Sequence, residues 1–476
     1  MNKRVGVFER RLKKEKQSEL WIASSQLPKA TPSRFYELVN ETLEEIGFAS
    51  RVWDLCQPAY AEAVKGGRPG IDPLVYFKML MVGFFEDLDS ERAIASRCAD
   101  SLSVRGFLGY SLSEATPEHS SLTVIRQRLG LEIYQGVFEL ILEAMHAHGL
   151  LKGRNLGIDS SVIEANASLR SLVHRNTEKA YWDYVKHLAK EAGVNEEDVG
   201  AVRRFDSKRP GRKTSNKEWL NPHDPEAKVG KTKDGATDMI YKPEHVVDLD
   251  TGAIVQAEIL SGDQGDAEDL SGKVLQALAT LHTVMPEVKI EKLGETITAD
   301  KAYFAVNQVG ELQDCQIRTV ISDPHAKRRS KNLPDSDRAV LRRAKRAVES
   351  VSGKSLLRRR GQHIERSFEH VLDSGGLREA TLRGRENLSK RHKIGAAFYN
   401  LSQLLRALFG IGTPKQWMAA ARGVLLRIFA LLWSLITSPV TIRTQIQRRR
   451  STPPRVFAEW PTVLLHAKNE GFSTVC

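Results

Sequence analysis

The chain has 476 residues, 41% hydrophobic and 27% charged, with a formal charge of +12. That length and apolar content exclude a disordered chain or a small stapled scaffold and allow two or three domains. The basic excess favours a polyanionic partner, while four scattered cysteines (Cys56, Cys98, Cys315 and Cys476) form no CxxC or Cys/His cluster, which excludes a zinc framework and fits a reducing cytosol.

The N-terminal "MNKRVGVFERRLKKEKQSEL" is charged and lacks the apolar core of a signal peptide. The first 150 residues read as helices. "TPSRFYELVNETLEEIGF" carries apolar residues at helical spacing, and "IDPLVYFKMLMVGFFEDL" opens on Asp72-Pro73, a helix-start signal. "LDSERAIASRCADSLSVRGFLGY" reads as two short helices with a serine near each start, followed by "TPEHSSLTVIRQRLG" and "EIYQGVFELILEAMHAHGL". The interleaved Arg92, Arg97, Arg105, Arg126 and Arg128 fit either a helix-turn-helix-like DNA reader or an ordinary helical domain with solvated arginines.

Strands begin after Leu151. "NLGIDSSVIEANA" alternates and is rich in β-branched residues, placing Asp159 in or near the middle of a strand. A polar, basic insertion runs from about 168 to 238, with one helical piece, "TEKAYWDYVKHLAKEAG", and a group of Arg203, Arg204, Lys208, Arg209, Arg212, Lys213 and Lys217. It reads as a flexible arm able to track a DNA backbone, its aromatics Tyr181, Trp182, Tyr184 and Trp219 either packing within it or wedging into distorted DNA. "PEHVVDLDTGAIVQAEIL" is a hairpin turning at Asp250-Thr251-Gly252, "DAEDLSGKVLQALATLH" a helix, and "ETITADKAYFAVNQVGELQ" a strand ending at Asp300 followed by a helix. "IRTVIS" is a further strand. "PDSDRAVLRRAKRAVES", "GQHIERSFEHVL" and "LSKRHKIGAAFYNLSQLLRALFG" are helices. From Lys327 to Arg360 there are 13 Lys/Arg against Asp335, Asp337 and Glu349, a net of 13 − 3 = +10, which reads as a DNA-facing surface or as a solvated loop and helix. In "VLLRIFALLWSLITSPV" the uncharged run Ile428 to Val440 is shorter than the roughly 20 apolar residues of a membrane span. It reads as a buried or partner-facing helix of a soluble protein.

A hairpin beside parallel strands linked by helices implies a mixed sheet flanked by helices, of α+β or α/β class, in the order of a ribonuclease-H-like fold. The chain divides into three regions: a helical, DNA-end-binding region 1–150; a sheet domain 151–410 with the insertion at about 168–238; and a C-terminal region 411–476 with an apolar helix and an irregular basic tail. In that fold the first and fourth strands are neighbours, with Asp159 on one and Asp300 at the end of the other. Two aspartates and a glutamate from a nearby helix suit magnesium, which takes oxygen ligands, and two such ions support phosphodiester displacement. Each residue also has a plain reading: Asp159 ends a strand, Asp300 pairs with Lys301 or caps a helix, and Glu365 pairs with Arg366 or with Arg358, Arg359 and Arg360.

From Gly67 to Gly410 the chain resembles a bacterial insertion-sequence transposase of the DDE type. "GRPGIDPLVYFKMLMVGFFEDLDSERAIASRCADSLSVRGFLG", "GIDSSVIEANAS", the hairpin stretch, "ITADKAYFA" and "RRRGQHIERSFEHVL…GLREATLRGRENLSKRHKIGAAFYNLSQLLR" carry the resemblance in the family's order. It implies a ribonuclease-H-like catalytic domain, an Asp159–Asp300–Glu365 triad holding Mg2+ (or Mn2+) in two sites, and cleavage and strand transfer of double-stranded DNA. It further implies terminal inverted repeats and target DNA as partners, a dimer in the synaptic complex, and a cytoplasmic, nucleoid-associated location. Arg366, Arg358, Arg359, Arg360, Arg378, Arg383, Arg385, Lys390, Arg391, Arg209, Arg212 and Lys213 become DNA-contact candidates. The chain departs from the broader superfamily in having Gly361 four residues before Glu365 and Leu372 seven after it, where arginine and lysine are common. The alternatives are a nuclease of the same fold and an inactive or domesticated DNA-binding protein.

Overall fold

The computed structural model describes residues 33–60, 70–210, 215–326 and 333–419, together with 422, 423 and 426. The described residues up to Trp417 form one compact unit. The segment from 418 onward is a second unit of which only five positions are described, so the expected apolar helix and basic tail lie outside the described residues apart from Leu426.

The helical region consists of α1 (Arg34–Glu45), α2 (Phe48–Tyr60), α3 (Pro73–Phe85), α4 (Glu91–Asp100), α5 (Leu102–Leu108), α6 (His119–Arg128) and α7 (Leu131–Ala147). Several of their starts are set by side-chain capping. Asp72 accepts from the Leu74 N–H at 2.8 Å with Pro73 just inside the helix, Ser90 from Ala93 at 3.2 Å, and Ser101 from Val104 at 3.4 Å. The nearly unbroken apolar run of α3 is buried on most sides. Four of the five interleaved arginines have partners within the helical region. Arg97 grips Glu86, Arg105 donates to the carbonyls of Ala99, Ser111 and Glu114, Arg126 pairs with Glu91 inside the core, and Arg128 lies 4.8 Å over the Tyr60 ring. Arg92 alone of the five is exposed without such a partner among the described residues.

Next come β1 (Asn155–Ser160), β2 (Ile163–Glu164), β3 (Val173–His174), α8 (Tyr181–Glu191), α9 (Val199–Lys208), β4 (Trp219–Leu220) and β5 (Lys228–Lys231). The insertion is therefore folded where it is described, not a loose arm. Val185, Ala189 and Val202 make its small core, and His174, Tyr181 and Tyr184 gather around the buried Trp219. Trp182 points out, with the Arg203 guanidinium 6.0 Å over its ring.

The hairpin is β6 (Thr237–Asp248) and β7 (Ile254–Ser261); α10 (Leu270–Val284), β8 (Thr296–Ala299), α11 (Val306–Asp314), β9 (Arg318–Val320), α12 (Asp335–Glu349), α13 (Val351–Phe368) and α14 (Arg385–Phe409) complete the chain. The central order is β7-β6-β1-β8-β9, with β6 antiparallel to both its neighbours and β1, β8 and β9 parallel. That is the ribonuclease-H-like sheet expected from the order of elements. Beyond β1 and β7, the long β6 also pairs with β2 and β5.

Two features of the helices exceed what their local sequence suggests. The helix carrying Glu365 starts at Val351, ten residues before "GQHIERSFEHVL", and its last turn, Glu369–Asp373, widens into a π-helix. The α14 helix is buried on nearly all sides between the sheet and α7, so its Lys390, His392, Lys393 and Asn400 are interior. Asn400 acts as a strand partner for β7, its Oδ1 accepting from Ile254 N at 2.9 Å and its Nδ2 donating to Ile254 O at 2.7 Å. Among the described residues no helix is long and apolar enough to cross a membrane.

Replacing Asn400 by leucine strands a buried donor and a buried acceptor on β7. We expect Asn400→Leu to lower unfolding free energy by roughly 2–4 kcal/mol, about 1–3 kcal/mol being the usual cost of one stranded group. Urea denaturation followed by circular dichroism measures this; a loss under about 1 kcal/mol would mean that the pair does not hold α14 to the sheet.

Candidate active site

The parallel ladder of β1 and β8 ends with Ile158 beside Ala299. Asp159 and Asp300 are the next residues along the chain, so they lie side by side just past the last β1–β8 pair, at the roughly 4.8 Å spacing of neighbouring strands, Asp159 still paired with β6 and Asp300 beyond the end of β8. Asp300 is exposed at the start of a short 3-10 turn, Lys301–Tyr303. Asp159 is partly buried, its Oδ1 accepting from the Ser160 N–H at 2.9 Å. Burial pushes the Asp159 carboxyl above its ordinary value, and the nearby Asp300 adds to that push, while the Arg360 guanidinium and the Ser160 N–H oppose it.

Gly157 and Asp159 face α13, since alternate strand residues share a face. A Cβ on Gly157 would come within 2.6 Å of Leu249 Cδ2, 3.2 Å of Arg360 Cγ and 3.3 Å of Ile364 Cδ1. Glycine is what lets the helix lie this close. Across it, Arg360 Nη1 donates to Asp159 Oδ2 at 2.6 Å, with the side chains 16% and 31% exposed. Glu365 lies elsewhere on the helix: it is exposed, and its carboxylate makes no hydrogen bond or ion pair among the described residues. Among those residues no three His, Cys, Asp or Glu side chains are grouped to hold a metal ion. The fold thus brings Asp159 and Asp300 together, and it sets Arg360 rather than Glu365 against them.

Two buried polar clusters flank this pair, and neither is foreshadowed in the sequence. On the sheet face opposite α13, Glu244 Oε2 accepts from Lys273 Nζ at 2.8 Å and from the Tyr303 hydroxyl at 2.9 Å; burial holds Glu244 above its ordinary value despite the ammonium. Tyr303 lies three residues after Asp300, and Ser160, next to Asp159, donates to Asp266 at 2.8 Å. Under α13, His245 pairs across the ladder with Asp159 and stacks on Phe368. Ser367 donates its hydroxyl to the Ile364 carbonyl, so it must accept from His245 Nδ1, 2.8 Å away. His245 Nε2 is then the acceptor toward His392 Nε2 at 3.0 Å, and both rings are neutral. Burial drives both histidines down, His392 to about 3. This chain of bonds fixes the rotation of α13 above the site.

The basic candidates divide sharply. Arg358 and Arg366 are exposed, with no side-chain partner among the described residues. Arg359 pairs with Asp250 at 2.9 Å, Arg378 forks onto Asp373 at 2.6 and 2.8 Å, Arg383 donates to Asn166 O at 3.1 Å, and Arg385 is 3.7 Å from Glu226. Lys390 is buried against the Arg126 carbonyl and Glu386, and Arg391 donates to Leu88 O at 2.9 Å, so both serve the interior rather than a DNA surface. Arg209 is bound to Asp206 with its side chain only 9% exposed. Arg212 and Lys213 lie outside the described residues. On α12, Arg342 and Arg346 share one exposed face and form no ion pair among the described residues.

Residues 24–128 match a family described as a transposase domain (DUF772), and α1 to α6 fall within the matched residues. No curated protein matches the chain. Among solved structures, a pre-cleavage Mos1 transpososome is similar at 10% identity over 65% of this chain and 81% of that chain, with a TM-score of 0.19. A Mos1 transposase paired-end complex with the left transposon end is similar at 12% identity over the same shares, with a TM-score of 0.18. Likeness that slight says nothing about the chemistry of this site.

The Glu244–Lys273 pair yields a stability test. Glu244→Leu leaves the Lys273 ammonium buried without its counter-charge, and we expect a loss of about 3–5 kcal/mol in urea unfolding. Adding Lys273→Met should restore much of it, because an apolar pair costs no desolvation. A double variant no more stable than the single one would show that the loss came from packing.

Proposed function

We propose that the chain is a DNA transposase whose chemistry is metal-dependent cleavage and strand transfer, with Asp159 and Asp300 at its centre. The observation that carries this is the pairing of those two carboxylates at the ends of adjacent parallel strands, in a chain whose helical region matches a transposase domain. The donor set fits a hard divalent cation on the side of the two aspartates, which offer only oxygens and are open to solvent at Asp300. Glu365, exposed on α13 without a partner among the described residues, is the proposed third ligand. When bound, Mg2+ or Mn2+ would activate an attacking oxygen and stabilise the leaving one.

The protein's own part is positioning. Asp159 and Asp300 hold negative charge at a fixed spacing on a rigid sheet, and α13 lies across the sheet over Gly157 with Arg358 and Arg366 exposed and free to meet phosphate oxygens. The exposed Arg342 and Arg346 of α12 offer a second basic face for the DNA backbone. Contacts of this kind fix register without reading sequence. The substrate is double-stranded DNA: the terminal repeats of an element, cut by water, and a target attacked by the freed 3′-hydroxyl. Joining two ends requires two copies of the protein, at least while DNA is bound.

Cleavage of a labelled duplex carrying the element's end, with magnesium, tests this directly. Asp159→Asn, Asp300→Asn and Glu365→Gln should each lower the cleavage rate by about 10²-fold or more while leaving DNA binding intact. Cutting that survives Glu365→Gln would remove Glu365 from the site. End-specific binding without metal-dependent cutting by the parent would favour a DNA-binding protein without catalysis, and cutting without joining a nuclease.

The surface makes a separate prediction. Arg342→Ala/Arg346→Ala should weaken DNA binding evenly across sequences and flatten the slope of log K against log salt by about 2. An unchanged slope would place the DNA elsewhere.

A further inference from the structure

We propose that Arg360 is a resident counter-ion that occupies Asp159 in the DNA-free protein and yields it when DNA phosphates arrive, so that metal loading depends on DNA. This rests on the reading of Asp159 as a metal ligand. Three observations support it. First, the guanidinium meets Asp159 Oδ2 at 2.6 Å, and a bound cation there would have to displace it. Second, the clasp is incomplete: a single nitrogen reaches the carboxylate, and the buried Arg360 Nε has no partner. By contrast, Arg378 uses two nitrogens on both oxygens of Asp373. A group held by one charge-assisted bond, with a further donor unspent, suits exchange onto a phosphate that can take two of its N–H groups.

The third observation is the arrangement of the helix. Arg360 and Glu365 are five residues apart, which is about 140° around an α-helix. One face of α13 therefore cannot offer both to Asp159. The DNA-free arrangement presents the arginine, while Glu365, Arg358 and Arg366 are exposed. The stem of Arg360 rests over Gly157, where no side chain of β1 competes for the space, so the guanidinium can swing without unpacking Ile364 or Leu356, both buried. Departure of Arg360 exposes a carboxylate that already lies beside Asp300. The consequence is a site that stays neutralised, and closed to metal, until a substrate is in place.

Mn2+ titration of the full chain, read by electron paramagnetic resonance, tests the exchange apart from catalysis. With wild type we expect at least a 10-fold tighter Mn2+ affinity once a generic DNA duplex is added. Arg360→Gln should bind Mn2+ without DNA about as tightly as wild type does with it. Arg360→Met, which keeps the stem over Gly157, should do the same and covers the case in which the glutamine variant fails to fold. Arg360→Lys should retain the dependence on DNA. Asp159→Asn should abolish the binding in every background. DNA-free wild type that binds Mn2+ as tightly as Arg360→Gln, with Asp159→Asn still abolishing it, would overturn the exchange and leave the metal site standing. Absence of Mn2+ binding from all forms, with or without DNA, would overturn both.

Discussion

The parallel pairing of β1 with β8 is the constraint on which the site depends. It runs from Asn155 beside Thr296 to Ile158 beside Ala299, and it brings together two carboxylates separated by 141 residues of chain, an interval that includes the insertion, the hairpin and α10. Parallel strands need long crossovers and coverage on both faces. Here α10 and α11 connect the parallel strands, and α13 and α14 bring helix to the face that Asp159 shares with Gly157. Two like charges at strand ends must be offset. The Ser160 amide and Arg360 do so for Asp159, and solvent does so for Asp300.

Much of the positive charge in this basic chain is used inside it. Arg126, Lys273, Lys390 and Lys393 are buried and bound to acids or carbonyls, and Arg105 ties three backbone carbonyls together. Interior cations of this kind orient helices, since a buried ammonium or guanidinium left unpaired is expensive. Fewer cations remain for a polyanion than the formal charge suggests, and among them Arg358 and Arg366 are exposed on the helix that packs over β1. Charge is therefore informative here by position, not by total.

The α13 helix links packing to the proposed chemistry. Its inner face, Leu356, Ile364 and Ser367, is locked by the sheet and by the neutral His245–His392 pair, while Arg360 on that same face is held by one carboxylate. A rigid frame with one exchangeable side chain is a way to make a site respond to substrate without remaking the core. The wide π turn at Glu369–Asp373 lies where this helix meets α14, and turns of that kind interrupt regular packing.

Local sequence is enough for the elements whose cause is local. Asp72-Pro73, Ser90 and Ser101 start helices because their side chains satisfy the first N–H groups, and alternation in "NLGIDSS" and "VVDLDTGAIVQ" makes strands and a hairpin because side chains on a strand repeat every second residue. The strand order, and with it the nearness of Asp159 to Asp300, is legible in the succession of those elements. Which charges are spent is settled only by the folded chain. Nothing local distinguishes Arg360 from Arg358, yet one reaches Asp159 and the other solvent, because helix phase and the missing Cβ of Gly157 set the contact. Nor does the sequence show that Lys390 and Arg391 turn inward, that Glu244 and Lys273 meet, or that Glu365 is exposed without a partner among the described residues. Those outcomes depend on how helices rotate against a sheet formed from distant strands, and that rotation is fixed by long-range packing rather than by neighbouring residues.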